Sequence, residues 1–187
     1  MFLDIETIGL PRTRGFDNYY DPSKLKYYET SRMVEIAYFI CNDKGKKIKT
    51  RNILVKPCDF KINNSHIHGI TTDMAISEGK PINYILKKIS KDLDNVSEII
   101  SHNILFDLNI LLSECYRNNS RELIKKIKSK KQNCTMRMGK KFMKSSKSPR
   151  LMELYKYLRN NNKNYTSKHR ALPDARICKR CYYLMKK

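Results

Sequence analysis

The chain of 187 residues predicts an α/β fold in which helices pack against a mixed central β-sheet. Two observations lead to this prediction. Short apolar or alternating segments near residues 1–7, 33–41, 47–55 and 98–102 are typical of strands. Apolar residues recur at helical spacing in other segments, most clearly over residues 81–93. A chain of this length suits a single domain spanning residues 1–187.

The expected order of elements is a strand, a hairpin, a helix, a strand and then further helices. Residues 33–41 and 47–55 flank the turn signal Asn42-Asp43-Lys44-Gly45, which predicts a β-hairpin. Further helices are expected over residues 103–116, 121–129, 135–144 and 151–158, and a polar loop over residues 160–168. The last helix is expected to begin near Pro173, because proline suits a first helical position.

Two segments have unusual compositions. Residues 9–32 form a long loop insertion that is rich in Tyr, and loops of this length in compact domains are often functional. Its tyrosines and four cations, Arg12, Arg14, Lys24 and Lys26, would either clamp a single strand or form a solvated lid. Residues 121–150 contain twelve Lys or Arg and one acid. A charge run is usually a solvated face, but the size of this excess favours a basic helical surface that binds a nucleic-acid backbone.

The net charge points to a polyanionic partner. The sequence has 39 Lys or Arg against 18 Asp or Glu, a formal charge of +21, and nucleic acid is the commonest partner of such chains. The sequence has no long uncharged apolar run and no recognisable signal peptide, so we expect an intracellular protein with no membrane partner. The six cysteines are then expected to be reduced, and Cys178 and Cys181 to pack in the core rather than bind zinc.

The first strand carries two acids on one face. Asp4 and Glu6 are two residues apart, so their side chains would project side by side from a strand with apolar neighbours. Buried carboxylates repel each other and lose hydration unless a cation lies between them, and Mg²⁺ prefers oxygen ligands of this kind. The alternative is an N-terminal edge strand whose two acids are solvated.

Three later residues are candidates to complete such a site. Asp107 lies in the first turns of a helix that leaves a buried strand, where an unpaired acid would be difficult to explain. Asp174 lies at the start of the last helix, and His169 precedes it by five residues in the expected loop. Each of these residues also has an ordinary interpretation, as a helix cap or a surface residue.

Taken together, these residues resemble the DEDDh, or DnaQ-like, 3′→5′ exonuclease superfamily, which includes the proofreading epsilon subunit and free-standing relatives. Its three motifs resemble Asp4-Ile5-Glu6, His102-Asn103-x-x-Phe106-Asp107 and His169-x4-Asp174, in that order. Two further segments, Ser31–Ala37 and His66–Thr71, resemble the second strand and the HGIT segment of the family. The resemblance extends over essentially the whole chain.

The resemblance implies an RNase H-like fold and two-metal hydrolysis of phosphodiester bonds. Asp4, Glu6, Asp107 and Asp174 would hold two Mg²⁺ or Mn²⁺ ions, one activating the attacking water and one stabilising the leaving 3′-oxygen. His169 would be the general base. A related branch has Tyr four residues before the last Asp, but this sequence has Arg170 there, so the His branch fits.

The same resemblance implies a pocket for the 3′-terminal nucleotide. Its residues would be Thr7, Gly9, Leu10, His68, Asn103 and Phe106. Leu10 would be an apolar wedge, and Asn103 would support the geometry of the active site. Gly9 and Leu10 also have the simpler interpretation of turn and packing residues.

The implied function is a metal-dependent 3′→5′ exonuclease that releases nucleoside 5′-monophosphates from single-stranded DNA or RNA. DNA is favoured slightly, by the resemblance to proofreading domains and not by any residue. One alternative is an exoribonuclease that trims RNA ends. The other is a non-catalytic nucleic-acid-binding module, against which the presence of all four acids and the histidine argues. The sequence does not indicate whether a polymerase or other protein partner exists.

Overall fold

A five-stranded mixed sheet forms the centre of the fold. The computed structural model describes residues 1–160 and 169–186, so the expected polar loop lies almost wholly outside the described residues. The strands are β1 (Phe2–Thr7), β2 (Met33–Cys41), β3 (Lys47–Leu54), β4 (Glu98–Ser101) and β5 (Lys131–Cys134). They lie in the order β3-β2-β1-β4-β5. β1, β2 and β3 pair antiparallel, whereas β4 pairs parallel to both β1 and β5.

Helices follow the predicted pattern closely. They are α1 (Ser65–His68), α2 (Thr72–Glu78), α3 (Ile82–Asp92), α4 (Ile104–Arg117), α5 (Arg121–Ser129), α6 (Thr135–Phe142), α7 (Leu151–Arg159) and α8 (Ala171–Leu184). The Thr71 hydroxyl caps α2 by accepting a hydrogen bond from the Met74 N–H at 3.2 Å. Pro81 is the N-cap residue of α3, one residue before the first turn in which the sequence placed it.

The alternation of β1 places its acids on a defined face. Leu3 and Ile5 belong to the main apolar core, which includes residues of α3 and α4. Phe2 belongs instead to a second cluster with Cys178 and Tyr182 of α8. Because residues two apart share a face, Asp4 and Glu6 lie on the Phe2 side, towards α8. The two acids of β1 therefore lie on the face of the sheet against which α8 packs.

Three sequence expectations need correction. β5 was not predicted, because its four residues are mostly polar and its pairing with β4 is visible only in three dimensions. α8 begins at Ala171, which places Pro173 inside the first turn, where a backbone N–H has no partner within the helix. The 9–32 segment is more regular than expected: Thr13 and Tyr19 form a β-bridge, and short 3₁₀ turns span Leu25–Tyr27 and Glu29–Ser31.

The two cysteines of α8 pack in the core, as predicted from their spacing. Cys178 and Cys181 are fully buried on α8 and are not bonded to each other. Burial raises the pKa of Cys181 to about 12, so its thiol is protonated at neutral pH. Among the described residues, no helix combines the length and apolar composition needed to cross a membrane.

Candidate active site

Three of the predicted metal-binding acids converge in the structure. Carboxylate oxygens of Asp4 and Glu6 from β1 and of Asp174 from α8 all lie within 4.8 Å of one another. Asp174 is in the first turn of α8, the helix that packs against the face of β1 that carries Phe2. Two distant parts of the chain therefore place three carboxylates around one small volume, and their role as metal ligands stays a prediction.

Asp107 lies just beyond this group of three. It is buried in the first turn of α4 and accepts hydrogen bonds from the Ser101 hydroxyl and from the backbone N–H of Ile5. These donors turn the carboxylate towards β1 rather than into solvent. Among the neighbouring acids, Asp107 has the largest charge effect on the pKa of Asp4, which places it close to the group.

The electrostatics of the site favour a cation. Burial, reinforced by repulsion from Asp107, Asp174 and the other acids, raises the pKa of Asp4 well above its usual range. Burial and the neighbouring acids also raise the pKa of Glu6 to about 8. Burial raises the pKa of Asp107 to about 7, although its hydrogen bonds oppose the rise. An all-oxygen donor set that resists ionisation by itself fits hard divalent ions such as Mg²⁺ and Mn²⁺.

His169 lies at the mouth of this acidic group. It precedes α8, its side chain is largely exposed, and its Nδ1 lies 3.9 Å from an Asp174 carboxylate oxygen. This distance is longer than a hydrogen bond, so the imidazole remains free to approach a substrate or water. The predicted loop position of the histidine is confirmed.

An ion pair next to His169 was not identified from the sequence. Glu35 of β2 is fully buried and lies opposite Glu6 in the sheet register. Its carboxylate accepts hydrogen bonds from Arg170 Nε and Nη2 at 2.7–3.2 Å and from the Ala171 N–H at 3.0 Å. The pair fixes the start of α8 against the sheet. The sequence feature that could have indicated this pair is Glu35 itself, because an acid within an apolar strand requires a partner.

The residues after β1 form a tight turn at the edge of the acidic group. The Thr7 hydroxyl donates a hydrogen bond to the Gly9 carbonyl at 2.6 Å. A Cβ atom at Gly9 would lie only 2.7 Å from the Thr30 carbonyl oxygen, so this position requires glycine. Leu10 follows with its side chain exposed. This geometry is compatible with the predicted wedge, and contact with a nucleotide stays a prediction for all three residues.

His68 is buried beneath this turn rather than exposed in an open pocket. Its Nδ1 accepts a hydrogen bond from the Ile70 N–H at 3.0 Å, so the Nε2 proton is available to Asn64 Oδ1 at 3.2 Å. Asn64 in turn donates to the Thr7 carbonyl at 2.9 Å. Burial lowers the pKa of His68, which keeps it neutral. The observed role is to hold Thr7 in place, and direct contact with a nucleotide stays a prediction.

Asn103 and Phe106 flank the acid of α4. The Asn103 side-chain oxygen is buried without a hydrogen-bond partner among the described residues, and its side chain faces Tyr19 of the 9–32 segment. Burial raises the pKa of Tyr19, and the interaction with Asn103 opposes that rise. Phe106 is partly buried and packs against the main core. Contact of Asn103 or Phe106 with a nucleotide stays a prediction.

Comparisons with known proteins agree with this geometry. A family model described as an exonuclease, RNase_T, matches residues 1–182. A search of curated protein sequences gave no significant match.

Solved structures of exonucleases share the fold. Exonuclease I of E. coli in complex with a dA16 oligonucleotide is 18% identical over 99% of this chain, with a TM-score of 0.71. Exonuclease X in complex with 5′ overhanging duplex DNA is 23% identical over 98% of this chain, with a TM-score of 0.61. The chain spans 40% of the Exonuclease I chain and 89% of the Exonuclease X chain. These likenesses confirm the RNase H-like exonuclease fold.

Proposed function

Because the chain belongs to the exonuclease family defined by the RNase_T model, we propose that it is a metal-dependent 3′→5′ exonuclease that releases nucleoside 5′-monophosphates. The observation that carries this proposal is the convergence of Asp4, Glu6 and Asp174, with Asp107 directed at the same strand. These acids were assigned as a catalytic set from separate sequence motifs.

The four acids would hold two divalent cations. When bound, such ions lower the pKa of a coordinated water and balance the charge that develops on the departing 3′-oxygen. The chain's own contribution is to fix the ligands: β1 presents two acids on one face, and Ser101 and the Ile5 N–H orient Asp107. Both Mg²⁺ and Mn²⁺ suit a donor set of this kind.

His169 would accept the proton of the attacking water. Its imidazole is exposed at the mouth of the acidic group, 3.9 Å from Asp174, and histidine is the side chain that most often acts as a general base in enzymes. Arg170, the next residue, is held by the buried Glu35. This anchor would limit the range of positions that the His169 backbone can take at the start of α8.

A single-stranded 3′ end is the proposed substrate. Exonuclease I structures in complex with dA16 and dT13 oligonucleotides share the fold, which supports DNA over RNA. The charge of +21 favours an anionic strand, and the basic 121–150 segment contributes the exposed cations of α5 and α6. RNA is the second candidate substrate.

The test is a digestion of 5′-labelled single-stranded DNA, RNA and duplex DNA in Mg²⁺, Mn²⁺ or EDTA. Asp4→Asn and His169→Ala are compared with Asp43→Asn, which changes an exposed acid in the β2–β3 turn. We expect a ladder that shortens from the 3′ end, requires metal, is lost in the two site variants and persists in Asp43→Asn.

Two outcomes would contradict the proposal. Tight binding of strands by the unaltered protein, with no cleavage in any metal, would favour a binding module. Cleavage of circular single strands would identify an endonuclease with the same fold. The relative rates on DNA and RNA would decide between the two candidate substrates.

A further inference from the structure

We propose that Phe16 is a base-stacking contact for the single strand that leads into the active site; this inference rests on the proposed function. Phe16 is at the tip of a small hairpin within the 9–32 segment. Thr13 and Tyr19 form its β-bridge, and the Arg14 N–H donates to the Asn18 carbonyl at 2.8 Å.

The tip is a tight turn that contains two residues with positive φ. Gly15 has φ of +144° and Asp17 has φ of +57°, so the turn uses two residues in conformations that side chains rarely adopt. The Asn18 N–H closes the turn on the Gly15 carbonyl at 3.1 Å. Phe16 lies between these residues and therefore projects from a defined turn.

A stack of aromatic and cationic side chains stiffens the base of the hairpin. The rings of Tyr20 and Tyr27 are parallel, with centroids 3.7 Å apart. Arg14 lies 4.6 Å from the Tyr20 centroid and Lys26 lies 5.2 Å from that of Tyr27. The buried Tyr28 donates its hydroxyl proton to the Tyr20 carbonyl at 2.5 Å. These contacts give the hairpin a rigid support, which keeps the entropic cost of ligand binding low.

The hairpin is positioned next to the acidic group. Asp17 contacts Arg137 of α6 at 3.4 Å, which ties the tip to the basic 121–150 segment. The Met136 N–H, one residue before Arg137, donates to the His102 carbonyl at 3.0 Å, so this part of α6 lies beside Asn103 and the start of α4. The influence of Asn103 and Asp107 on the pKa of Tyr19 agrees with this placement. Phe16 is three residues from Tyr19, so their Cα atoms lie within about 10 Å of each other. The tip is therefore a few nucleotides at most from the proposed scissile bond.

The exposure and surroundings of Phe16 fit a nucleic-acid strand. Its side chain is 76% exposed, and the exposed cations Arg14 and Arg12 precede it in the chain by two and four residues. An exposed aromatic ring in a segment that also carries cations matches the two chemical features of a single strand, since every base has a π-face and every linkage carries a negative charge. The occupant is therefore a single-stranded segment upstream of the 3′-terminal nucleotide.

Two substrates test the assignment. One is a 3′ single-stranded oligonucleotide, and the other is the p-nitrophenyl ester of thymidine 5′-monophosphate, which has no upstream base. For Phe16→Ala we expect KM on the oligonucleotide to rise about 10-fold, while hydrolysis of the ester is unchanged. Phe16→Trp should retain the wild-type KM, and Phe16→Leu should behave as Phe16→Ala. The control is Ile48→Ala, which removes an apolar side chain of β3 with a similar exposure of 68%.

An abasic scan adds a readout that a purely structural residue would not affect. A single abasic site is moved along the oligonucleotide from its 3′ end. We expect an abasic site at the position that stacks on Phe16 to weaken binding of the oligonucleotide by the wild type. The same abasic site should not change binding by Phe16→Ala.

The possible failures are distinguishable. If the wild type cleaves neither substrate, the proposed function fails first. If Phe16→Ala matches the wild type on the oligonucleotide, the stacking proposal is wrong while the exonuclease proposal stands. An equal loss on both substrates, or an abasic effect that is the same in Phe16→Ala, would also overturn the stacking contact.

Discussion

Asp92 and Asp107 are acids of similar burial in different parts of the molecule, and their partners differ in kind. Asp92, the last residue of α3, accepts hydrogen bonds from the Tyr38 hydroxyl at 2.9 Å, Lys49 at 2.6 Å and Arg51 at 3.1 Å. Burial by itself would raise the pKa of Asp92, but these bonds outweigh burial and lower it. The protein supplies this acid with cations of its own.

Asp107 has neutral partners only. The Ser101 hydroxyl and the Ile5 N–H donate to it, and burial raises its pKa to about 7. Within the described part of the chain, no Lys or Arg forms an ion pair with Asp4, Glu6 or Asp107. Asp92 is neutralised by cations of the protein, whereas Asp4, Glu6 and Asp107 have no cationic partner among the described residues. This contrast supports the proposal that a cation from solution binds at the candidate site.

The largest expected effect comes from replacing each of the two acids by Asn in matched variants. Asp107→Asn should lower exonuclease activity by about 10³-fold, because it removes a charge from the proposed metal site. Its stability in EDTA should not fall, because the variant removes a buried charge without a cationic partner. Asp92→Asn should keep its activity and lose about 2 kcal/mol of stability, because it weakens the bonds to Lys49 and Arg51. Product formation and thermal unfolding are the two measurements.

The two variants control each other. Loss of stability in Asp107→Asn with full activity, or loss of activity in Asp92→Asn at unchanged stability, would show that the contrast in partners does not separate the two roles.

Local patterns predicted much of the fold and the acids of the site. Asp4 and Glu6 were identified because a strand repeats every two residues and an apolar context makes two acids conspicuous. The helices were identified from apolar periodicity and from the position of Pro81. The family resemblance then related Asp107, His169 and Asp174 to the first strand, which spacing alone did not do.

The features that sequence reasoning missed depend on tertiary contacts. β5 has no alternation of its own and exists because its backbone pairs with β4. The Tyr20–Tyr27 stack joins residues on two sides of Pro22, and no local sequence pattern indicates this contact. Glu35 stood out as an acid in a buried strand, but its partner Arg170 is 135 positions away. Such a pairing is visible only once α8 lies across the sheet.

The Glu35–Arg170 pair allows a second, smaller test of the contrast. Arg170→Ala would leave Glu35 fully buried with only the Ala171 N–H as donor, and should cost about 2 kcal/mol of stability. This figure is below that for a fully buried pair because Arg170 is about one-third exposed. Denaturant unfolding is the measurement, and Arg176→Ala, an exposed arginine of α8, is the control.

A second change separates charge from packing at this pair. Adding Glu35→Gln to Arg170→Ala should restore part of the lost stability, because the uncompensated buried charge is removed. If the double variant is less stable than Arg170→Ala, Glu35 is stabilised by contacts other than this charge pair.

The smallest expected effect is a dependence of stability on pH and metal. Because the pKa of Glu6 is raised to about 8 in the folded protein, the folded state binds more protons than the unfolded state between the two pKa values. Stability in EDTA should therefore fall as the pH rises from 7 to 8.5, by about 3 °C in Tm for a chain of this size. This range avoids His68 and His102, because burial lowers the pKa of both and they are neutral there.

Added Mg²⁺ should remove that decline, because a cation bound between the acids favours their charged forms. Other groups that titrate in this range, such as the N-terminal amine, contribute equally with and without metal, so the informative quantity is the difference between the two Tm profiles. In Glu6→Gln the difference should become smaller. A wild-type Tm that declines equally in Mg²⁺ and EDTA would mean that the acids do not share a cation, and the contrast between Asp92 and Asp107 would then have no functional meaning.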